Sequence, residues 1–595
     1  MRIQPKDRTR LVDAAIGRIP CDLVIRNARI VNVFTGEIYL GDVGICEGFI
    51  AHVQCDPDNT GRPETPLEGS REYDAKGAYL TPGFIDSHIH IESTMMTPRY
   101  FAKAVIPHGT TTVITDPHEI GNVFGVKGVQ YMHECSEDLP MRQLILAPSC
   151  VPSLPGKENG GAEFGVEEIA ELFKLPRVAG LAEVMDYYGV MNNAPRMVSL
   201  VGKCLDEEKF AQGHMFCIYG REVSAYACGG PMSDHECISA QDARDRLRAG
   251  INVDARESSI SQDIDDIIQG VKDFRYTDLV TFATDDTESD DILKRGHENY
   301  IAAKAIRAGL DPVDAIKIAT INAAREAGIK GIGAVAPGYA ADVLLFDDLT
   351  ELAPKAVFYA GELVAEEGKL LAEIEDRDYE IESVNSVSIP TPDAGKLQIE
   401  VPGCDVNVRC NIIAFDPQKG FMTDFETADI PVKDGVLDIS GDPDLKYAAV
   451  INRYGAGTIG QAVVRSYGIQ EGAVASTVAH DCHNIVVIYD KPENAVIAIN
   501  RLKENAGGYV SVRDGEILAE MKLPVAGLMS NTPIDTIAAQ SHKFKESLEI
   551  LGMKGVAFPL FNMAILPLPV VPVARLTDLG MINAITQEFL PIVAR

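Results

Sequence analysis

The sequence predicts an α/β protein built on a TIM-type (β/α)8 barrel, with a small composite β-sandwich from the segments that flank the barrel and a C-terminal α+β domain. Apolar runs alternate with amphipathic helical segments from residue 81 to about 330, which indicates a parallel sheet. Eight such runs fit into about 250 residues, the usual size of a barrel. An open doubly wound sheet is the alternative for the same alternation.

The segments on either side of the barrel share another pattern. Residues 1–80 carry short apolar runs broken by Gly, Asp and Asn, such as 22–25 and 49–53, which is typical of strands and turns. Similar runs return within 331–384. We therefore expect the two segments to pair into one sandwich, and we expect residues 385–595, β-rich and then helical, to form the separate C-terminal domain.

Polar side chains mark the ends of the predicted barrel strands. Most of these ends carry His, Asp or Glu after an apolar run, and active sites lie at the carboxyl ends of barrel strands. The predicted ends lie near Ile91, Thr115, Ala147, Glu183, His214, His235, Arg256 and Asp285.

The first strand ends in His88-x-His90, and side chains two residues apart on a strand point to the same face. Both imidazoles can therefore bind one metal ion. The later strand ends add donors of the same kinds, namely Glu183, His214, His235 and Asp285.

Four imidazoles and two carboxylates suit Zn, Mn or Fe(II), and a bridging carboxylate can hold two ions about 3.5 to 4 Å apart. Each residue has an ordinary alternative: His214 in the core, His235 in a loop, or Asp285 capping the next helix. Their recurrence at successive strand ends favours a dinuclear metal site.

Several longer sequence motifs are similar to those of a known protein family. Residues 86–93, 115–120, 233–236 and 284–286, together with 479–484 and 523–530 near the C-terminus, resemble the amidohydrolase superfamily and, within it, the adenine deaminases. The similarity covers essentially the whole chain.

The resemblance implies hydrolytic deamination of adenine to hypoxanthine and ammonia in purine salvage, with two divalent ions, Mn or Fe in preference to Zn. It implies that His88, His90 and Asp285 hold one ion, that His214 and His235 hold the other, and that Glu183 bridges them.

In the corresponding mechanism, water activated by the two ions attacks C6 of adenine, and Asp285 carries its proton towards the departing amine. We expect His118 to polarise the reacting centre and Glu119 or Glu92 to hydrogen-bond a ring nitrogen, with Asp116 also at the substrate. For His118 a turn position after Pro117 is the alternative, and for Glu92 an ordinary first-turn carboxylate. His480 and His483 either line the mouth of the site or satisfy a domain interface, and we favour the interface.

The chain departs from the adenine deaminase pattern after His214, where Met215-Phe216-Cys217 follow, at Ser258 and at Cys482. These departures bear on the shape of the purine pocket. Two alternatives stay open: a cyclic-amide hydrolase of the dihydroorotase or hydantoinase type, and an inactive metal-binding scaffold. The hydrolases bridge their metals with a carbamylated lysine, and residues 177–185 contain no lysine.

The composition limits the classes of partner that the protein is expected to bind. The 595 residues carry 54 Lys and Arg against 87 Asp and Glu, a net charge of −33 that repels nucleic acid and anionic lipid. No apolar run approaches the roughly 18 residues of a membrane span, and the first ten residues are polar. The twelve cysteines show no C-x-x-C pair. We expect a cytoplasmic enzyme, a homo-oligomer such as a dimer, that acts on a small purine.

Overall fold

The computed structural model describes residues 1–55, 65–390, 393–403, 406–416, 422–556 and 558–594. The strands within these ranges are β1 Leu23–Val31, β2 Ile38–Cys46, β3 Phe49–Cys55, β4 Glu72–Asp74, β5 Tyr79–Pro82, β6 Phe84–Ile89, β7 Thr110–Thr115, β8 Arg142–Ala147, β9 Val178–Val184, β10 Phe210–Gly213, β11 Ser233–Asp234, β12 Asn252–Arg256, β13 Val280–Ala283, β14 Val343–Phe346, β15 Ala356–Tyr359, β16 Glu362–Glu366, β17 Lys369–Leu370, β18 Val408–Phe415, β19 Thr423–Ile430, β20 Val432–Lys433, β21 Val436–Leu437, β22 Leu445–Ile451, β23 Ile459–Arg465, β24 Ala473–Ser476, β25 Ile485–Tyr489, β26 Gly508–Arg513, β27 Glu516–Lys522, β28 Ala574–Thr577, β29 Gly580–Asn583 and β30 Glu588–Leu590.

The α-helices of the described residues are Arg8–Ala15, Pro98–Val105, His118–Phe124, Val126–Cys135, Val166–Leu172, Tyr187–Met191, Pro195–Asp206, Arg221–Cys228, Ala240–Arg248, Ile264–Val271, Ser289–Arg295, Glu298–Arg307, Pro312–Lys317, Ala323–Glu326, Pro492–Glu504, Ile534–Ile550 and Pro559–Ala564. Short 3-10 turns occupy Ile91–Thr94, Ile106–His108, Glu380–Ser383 and Ala394–Leu397, and Ile318–Asn322 forms a π-helical turn. No helix among these is both long and apolar enough to cross a bilayer.

The parallel strands β6 to β13 curl into a closed, TIM-like barrel. They form two hydrogen-bonded groups, β6 to β10 and β11 to β13. Backbone bonds join the groups: Asp285 N donates to His88 O at 2.9 Å, and Met232 N donates to Ala211 O at 3.3 Å. The barrel prediction is thus confirmed, and the open sheet is wrong. Each strand ends within two residues of its predicted end.

The sequence of these strands explains their position. Strands β6, β7 and β9 are buried at every residue, as strands covered on both faces are, and β-branched residues fill β7. The candidate metal ligands His88, His90 and Glu183 lie at or just beyond the carboxyl ends of β6 and β9. The carboxyl ends of β6 to β13 therefore gather the charged residues at one rim of the barrel.

The two flanking segments meet in one sheet of nine strands. Strand β5 pairs with β1 and, antiparallel, with β14, so that chain from both sides of the barrel is hydrogen-bonded together. Gly83 then leads directly from β5 into β6, where an added Cβ would lie 2.2 Å from Oγ1 of Thr111. The pairing of the segments is confirmed, whereas the two-layered sandwich and the domain boundaries stay predictions.

An eight-stranded sheet forms the centre of the C-terminal region, in the order β19-β18-β23-β22-β25-β24-β26-β27. Its side chains alternate between two cores. Val510 packs with Ile499 of helix Pro492–Glu504, whereas Tyr509 lies in the core that continues into the barrel. The loop between β24 and β25 is thereby placed over the barrel rim.

Candidate metal centre and active site

Six side chains of the kinds that bind metals meet at the carboxyl end of the barrel, and Glu183 lies at their centre. Its Oε2 is 2.6 Å from Nδ1 of His214 and 3.2 Å from Nε2 of His235, and its Oε1 is 3.3 Å from Nε2 of His90. Oδ1 of Asp285 is 3.3 Å from Nε2 of His90 and 3.5 Å from Nε2 of His88. All six residues are buried. The arrangement predicted from the strand ends is therefore present.

Hydrogen bonds behind the ligands fix two of the imidazoles. Gln212 donates from its Nε2 to Ser87 O at 3.0 Å, so its Oε1 accepts from Nδ1 of His88 at 2.7 Å. Nδ1 of His90 donates to the carbonyl of Asp116 at 3.0 Å. Each Nε2 is then the nitrogen with a free lone pair, and it faces the carboxylates.

The donor set fits a pair of divalent ions. Nε2 of His88 is fully buried and has no hydrogen-bond partner within the described part of the chain, as expected of a nitrogen that ligates a metal. Glu183 offers one oxygen to His214 and His235 and the other to His90. A carboxylate placed in this way can join two ions.

These contacts determine the direction in which the pKa values of the two carboxylates are shifted. Burial raises the pKa of Glu183, but its contacts with His214, His235 and His90 outweigh burial and hold the pKa well below its usual value. Burial also raises the pKa of Asp285, but His88, His90 and Arg256 outweigh burial and hold the pKa well below its usual value. Both carboxylates are thus anionic and ready to bind cations.

A cavity of about 410 Å³ opens beside the cluster, within the usual range for small-molecule sites. Polar groups border it on the metal side. Its other walls are largely apolar and come from both the barrel and the C-terminal region, through Phe216, Ile238, Met422, Leu568 and Val571.

His118 borders this cavity and stands near four carboxylates, one of which is Glu183, with its Oε1 3.6 Å from Nδ1 of His118. Its Nδ1 is 3.0 Å from Oδ2 of Asp116, and its Nε2 is 3.4 Å from Oε1 of Glu119 and 3.6 Å from Oδ1 of Asp481. Burial lowers the pKa of His118, but Asp116, Asp481 and Glu119 raise it well above its usual value. These carboxylates thus favour the charged form of His118 at the cavity wall.

The structure keeps three predicted substrate contacts away from this cavity: Asp116, Glu119 and Glu92 are buried but do not line it. Asp116 turns back onto His118, since its Oδ1 accepts from the His118 backbone N at 3.0 Å. Oε1 of Glu92 accepts from Ile120 N at 3.3 Å, and Glu92 borders a separate small cavity. Direct contact of these residues with substrate stays a prediction, whereas their contacts with neighbouring elements are in place.

Two residues at the site, Gln212 and Arg256, were not given a role from the sequence. Gln212 orients His88, and Arg256 donates to Oδ2 of Asp285 at 2.9 Å. His480 borders the main cavity, and both His480 and His483 contact Glu119. The two histidines therefore lie at a domain interface, as favoured, and one of them also reaches the cavity.

Comparison with known proteins agrees with this site. The family model described as "Amidohydrolase family" matches residues 79–364, and the one described as "Adenine deaminase C-terminal domain" matches residues 421–588. Adenine deaminase 2 of Carboxydothermus hydrogenoformans is 39% identical over 98% of this chain and 99% of its own length. Adenine deaminases of Kosmotoga olearia and Moorella thermoacetica are 36% and 37% identical, over 98% of this chain and 98% and 97% of their own lengths. The chain belongs to the adenine deaminase family.

Proposed function

We propose that this protein hydrolyses adenine to hypoxanthine and ammonia at a pair of divalent metal ions. The observation that carries the proposal is that four imidazoles meet the carboxylates of Glu183 and Asp285 beside a cavity of small-molecule size. Full-length relatives named adenine deaminases support the choice of substrate.

His88, His90 and Asp285 would hold one ion, His214 and His235 the other, and Glu183 would lie between them. A bound metal pair supplies a water that is acidic enough to act as a nucleophile near neutral pH. The chain contributes the geometry, because Gln212 and the carbonyl of Asp116 fix the rings that face the carboxylates.

Asp285 is the proposed proton carrier. Its Oδ1 faces His88 and His90, and its Oδ2 accepts from Arg256, so the carboxylate is held in one orientation at the cavity wall. We assign it the proton of the attacking water. Transfer of that proton to the amino group lets ammonia leave, because amide ion is too basic to depart.

His118 is the proposed electrostatic partner of the purine ring. Attack at C6 pushes negative charge onto the ring nitrogens, and a fixed cation at the cavity wall stabilises that charge. Asp116, Glu119 and Asp481 surround His118 and favour its charged form. We therefore propose that Asp116 and Glu119 act through neighbouring histidines.

The donors, all nitrogen and oxygen, suit Mn, Fe(II) or Zn, and we propose Mn or Fe as the resident ions. A cyclic-amide hydrolase is not favoured, since the bridging position holds Glu183 and strand β9 contains no lysine. The six candidate donor side chains lie together, which does not favour an inactive metal-binding scaffold. A role in purine salvage, a dimeric state and a cytoplasmic location stay predictions.

The experiment is turnover of adenine by apo-protein loaded with Mn, Fe(II) or Zn in turn, followed by ultraviolet absorbance and by ammonia release. We expect hypoxanthine and ammonia in equal amounts and activity that reaches its maximum at two ions per chain. Hydantoin and dihydroorotate serve as competing substrates. Ring opening of either one without deamination of adenine would refute the proposal.

A further inference from the structure

His480 reaches the catalytic cavity from the C-terminal region. It lies in the loop between β24 and β25 and is 5% exposed. Its backbone N donates to Ala564 O at 2.9 Å, and its ring is nearly parallel to that of Phe561, at 11°. These contacts hold the imidazole in one orientation at the cavity wall.

A chain of hydrogen bonds defines which nitrogen of His480 is available. Ala479 N donates to Nδ1 of His483 at 3.1 Å, so the ring proton of neutral His483 is on Nε2, which donates to Oε2 of Glu119. The other carboxylate oxygen of Glu119 contacts Nδ1 of His480. An ionised carboxylate oxygen presents only lone pairs, so the contact favours a proton on Nδ1 of His480 and leaves its Nε2 for a ligand in the cavity.

The same assignment excludes His483 as a metal ligand. A nitrogen that carries a proton does not ligate a metal, and the backbone donor at Nδ1 of His483 places the proton on Nε2. Oε2 of Glu119 thus accepts from His483, and its Oε1 contacts Nδ1 of His480. The arrangement resembles a carboxylate that orients an imidazole towards its substrate.

We propose that His480 is a substrate-binding residue supplied by the C-terminal region, with its Nε2 hydrogen-bonded to a ring nitrogen of the purine. Glu119 and His483 are positioning residues that act through it. The inference rests on the proposed function, because it presumes a purine in the cavity. A purine exposes several ring nitrogens, and leaving one without a partner in a partly apolar cavity weakens binding.

The test uses the full-length, metal-loaded protein and the variant His480→Asn. The asparagine amide nitrogen stands where Nδ1 stands in histidine, so this variant keeps a donor for Glu119 and lacks the nitrogen that faces the cavity. We expect kcat/KM for adenine to fall about 10- to 100-fold, mainly through KM, with metal content unchanged. His480→Gln, whose amide reaches further, should recover part of the loss.

His542→Asn is the matched control. His542 belongs to the same region, its side chain is 75% exposed, and among the described residues its one ion-pair partner is Glu546, at 3.3 Å. We expect wild-type kinetics. If His480→Asn behaves like this control while His480→Ala lowers only the melting temperature, the role of His480 is structural and the inference is wrong.

A second measurement identifies the purine atom. Inhibition constants of 1-, 3-, 7- and 9-deazaadenine are compared between the wild-type protein and His480→Asn. The analogue that lacks the contacted nitrogen should bind equally well to both, whereas the other three should bind about 10-fold or more weakly to the variant. Equal losses for all four analogues would contradict a specific contact.

A double-mutant comparison of Glu119 and His480 tests the positioning role of Glu119. Glu119→Gln should raise KM in the wild-type background and change it little once His480 is Asn. Additive losses, or a metal content that falls by one ion per chain in Glu119→Gln, would overturn the assignment. If the wild-type protein does not deaminate adenine under any metal, the proposed function fails; if it does and these variants do not respond, only this inference fails.

Discussion

Gln212 offers a sharp test of how the barrel prepares its metal ligands. It is fully buried on β10, accepts from Nδ1 of His88 at 2.7 Å and donates to Ser87 O at 3.0 Å. Gln212→Met keeps a side chain of similar length and removes both hydrogen bonds. We expect weaker metal binding, because the tautomer and the orientation of His88 are no longer fixed.

The size of the effect follows from the two bonds that are lost. Removing the partner of a metal-bound histidine typically lowers metal affinity or activity about 10- to 100-fold, which corresponds to about 1.4 to 2.7 kcal/mol. The same substitution leaves the buried Ser87 carbonyl and the His88 N–H without partners, at a cost of about 1 to 3 kcal/mol in folding stability for each group. Metal affinity and stability must therefore be measured separately.

Gln143→Met is the matched control. Gln143 is also fully buried, lies on β8, and donates to Pro98 O at 2.8 Å without contacting a metal ligand. Both variants should unfold more easily as apo-proteins, and only Gln212→Met should lose metal affinity in a chelator competition assay. Equal metal dissociation constants for the two variants would refute the reasoning.

Three further predictions concern the cluster and its support. Asp285→Asn should lower kcat by about 10²- to 10⁴-fold and retain most of its metal by elemental analysis; near wild-type turnover would remove Asp285 from proton transfer. Glu183→Gln should bind both ions more weakly in equilibrium dialysis, and the loss of only one ion would contradict a bridging role. Lys545→Met leaves Glu288 without its cation and should lower the free energy of unfolding by about 1 to 3 kcal/mol, measured by urea denaturation, whereas exposed Lys543→Met should change it little.

Periodicity accounts for the part of the site that could be predicted. In a strand the side chains alternate, so His88 and His90 had to share a face, and strand ends at Glu183, His214 and Asp285 had to meet if the barrel closed. Gln212 follows the same rule, since it lies two residues before His214 and is a polar residue in a buried strand. That signal is present in the sequence, and it predicts a supporting residue.

The remainder depends on contacts between distant segments. Nothing local to Glu119 indicates that its carboxylate contacts His480 and His483, more than 350 residues further along the chain. Alternation along β26 predicts two buried faces, and it does not say which face lies against the barrel. The motif that contains His480 was visible, but its position at the cavity required the tertiary structure.

Only some of the residues that depart from the adenine deaminase pattern line the cavity. Phe216 and Cys217 line the cavity, whereas Cys482 is buried outside it and Ser258 contacts the cavity only through Ser261. None of them belongs to the metal cluster. Substitution at Phe216 should therefore change which purines are bound before it changes the chemical step, because the barrel supplies the metal donors and the apolar walls determine the fit of the base.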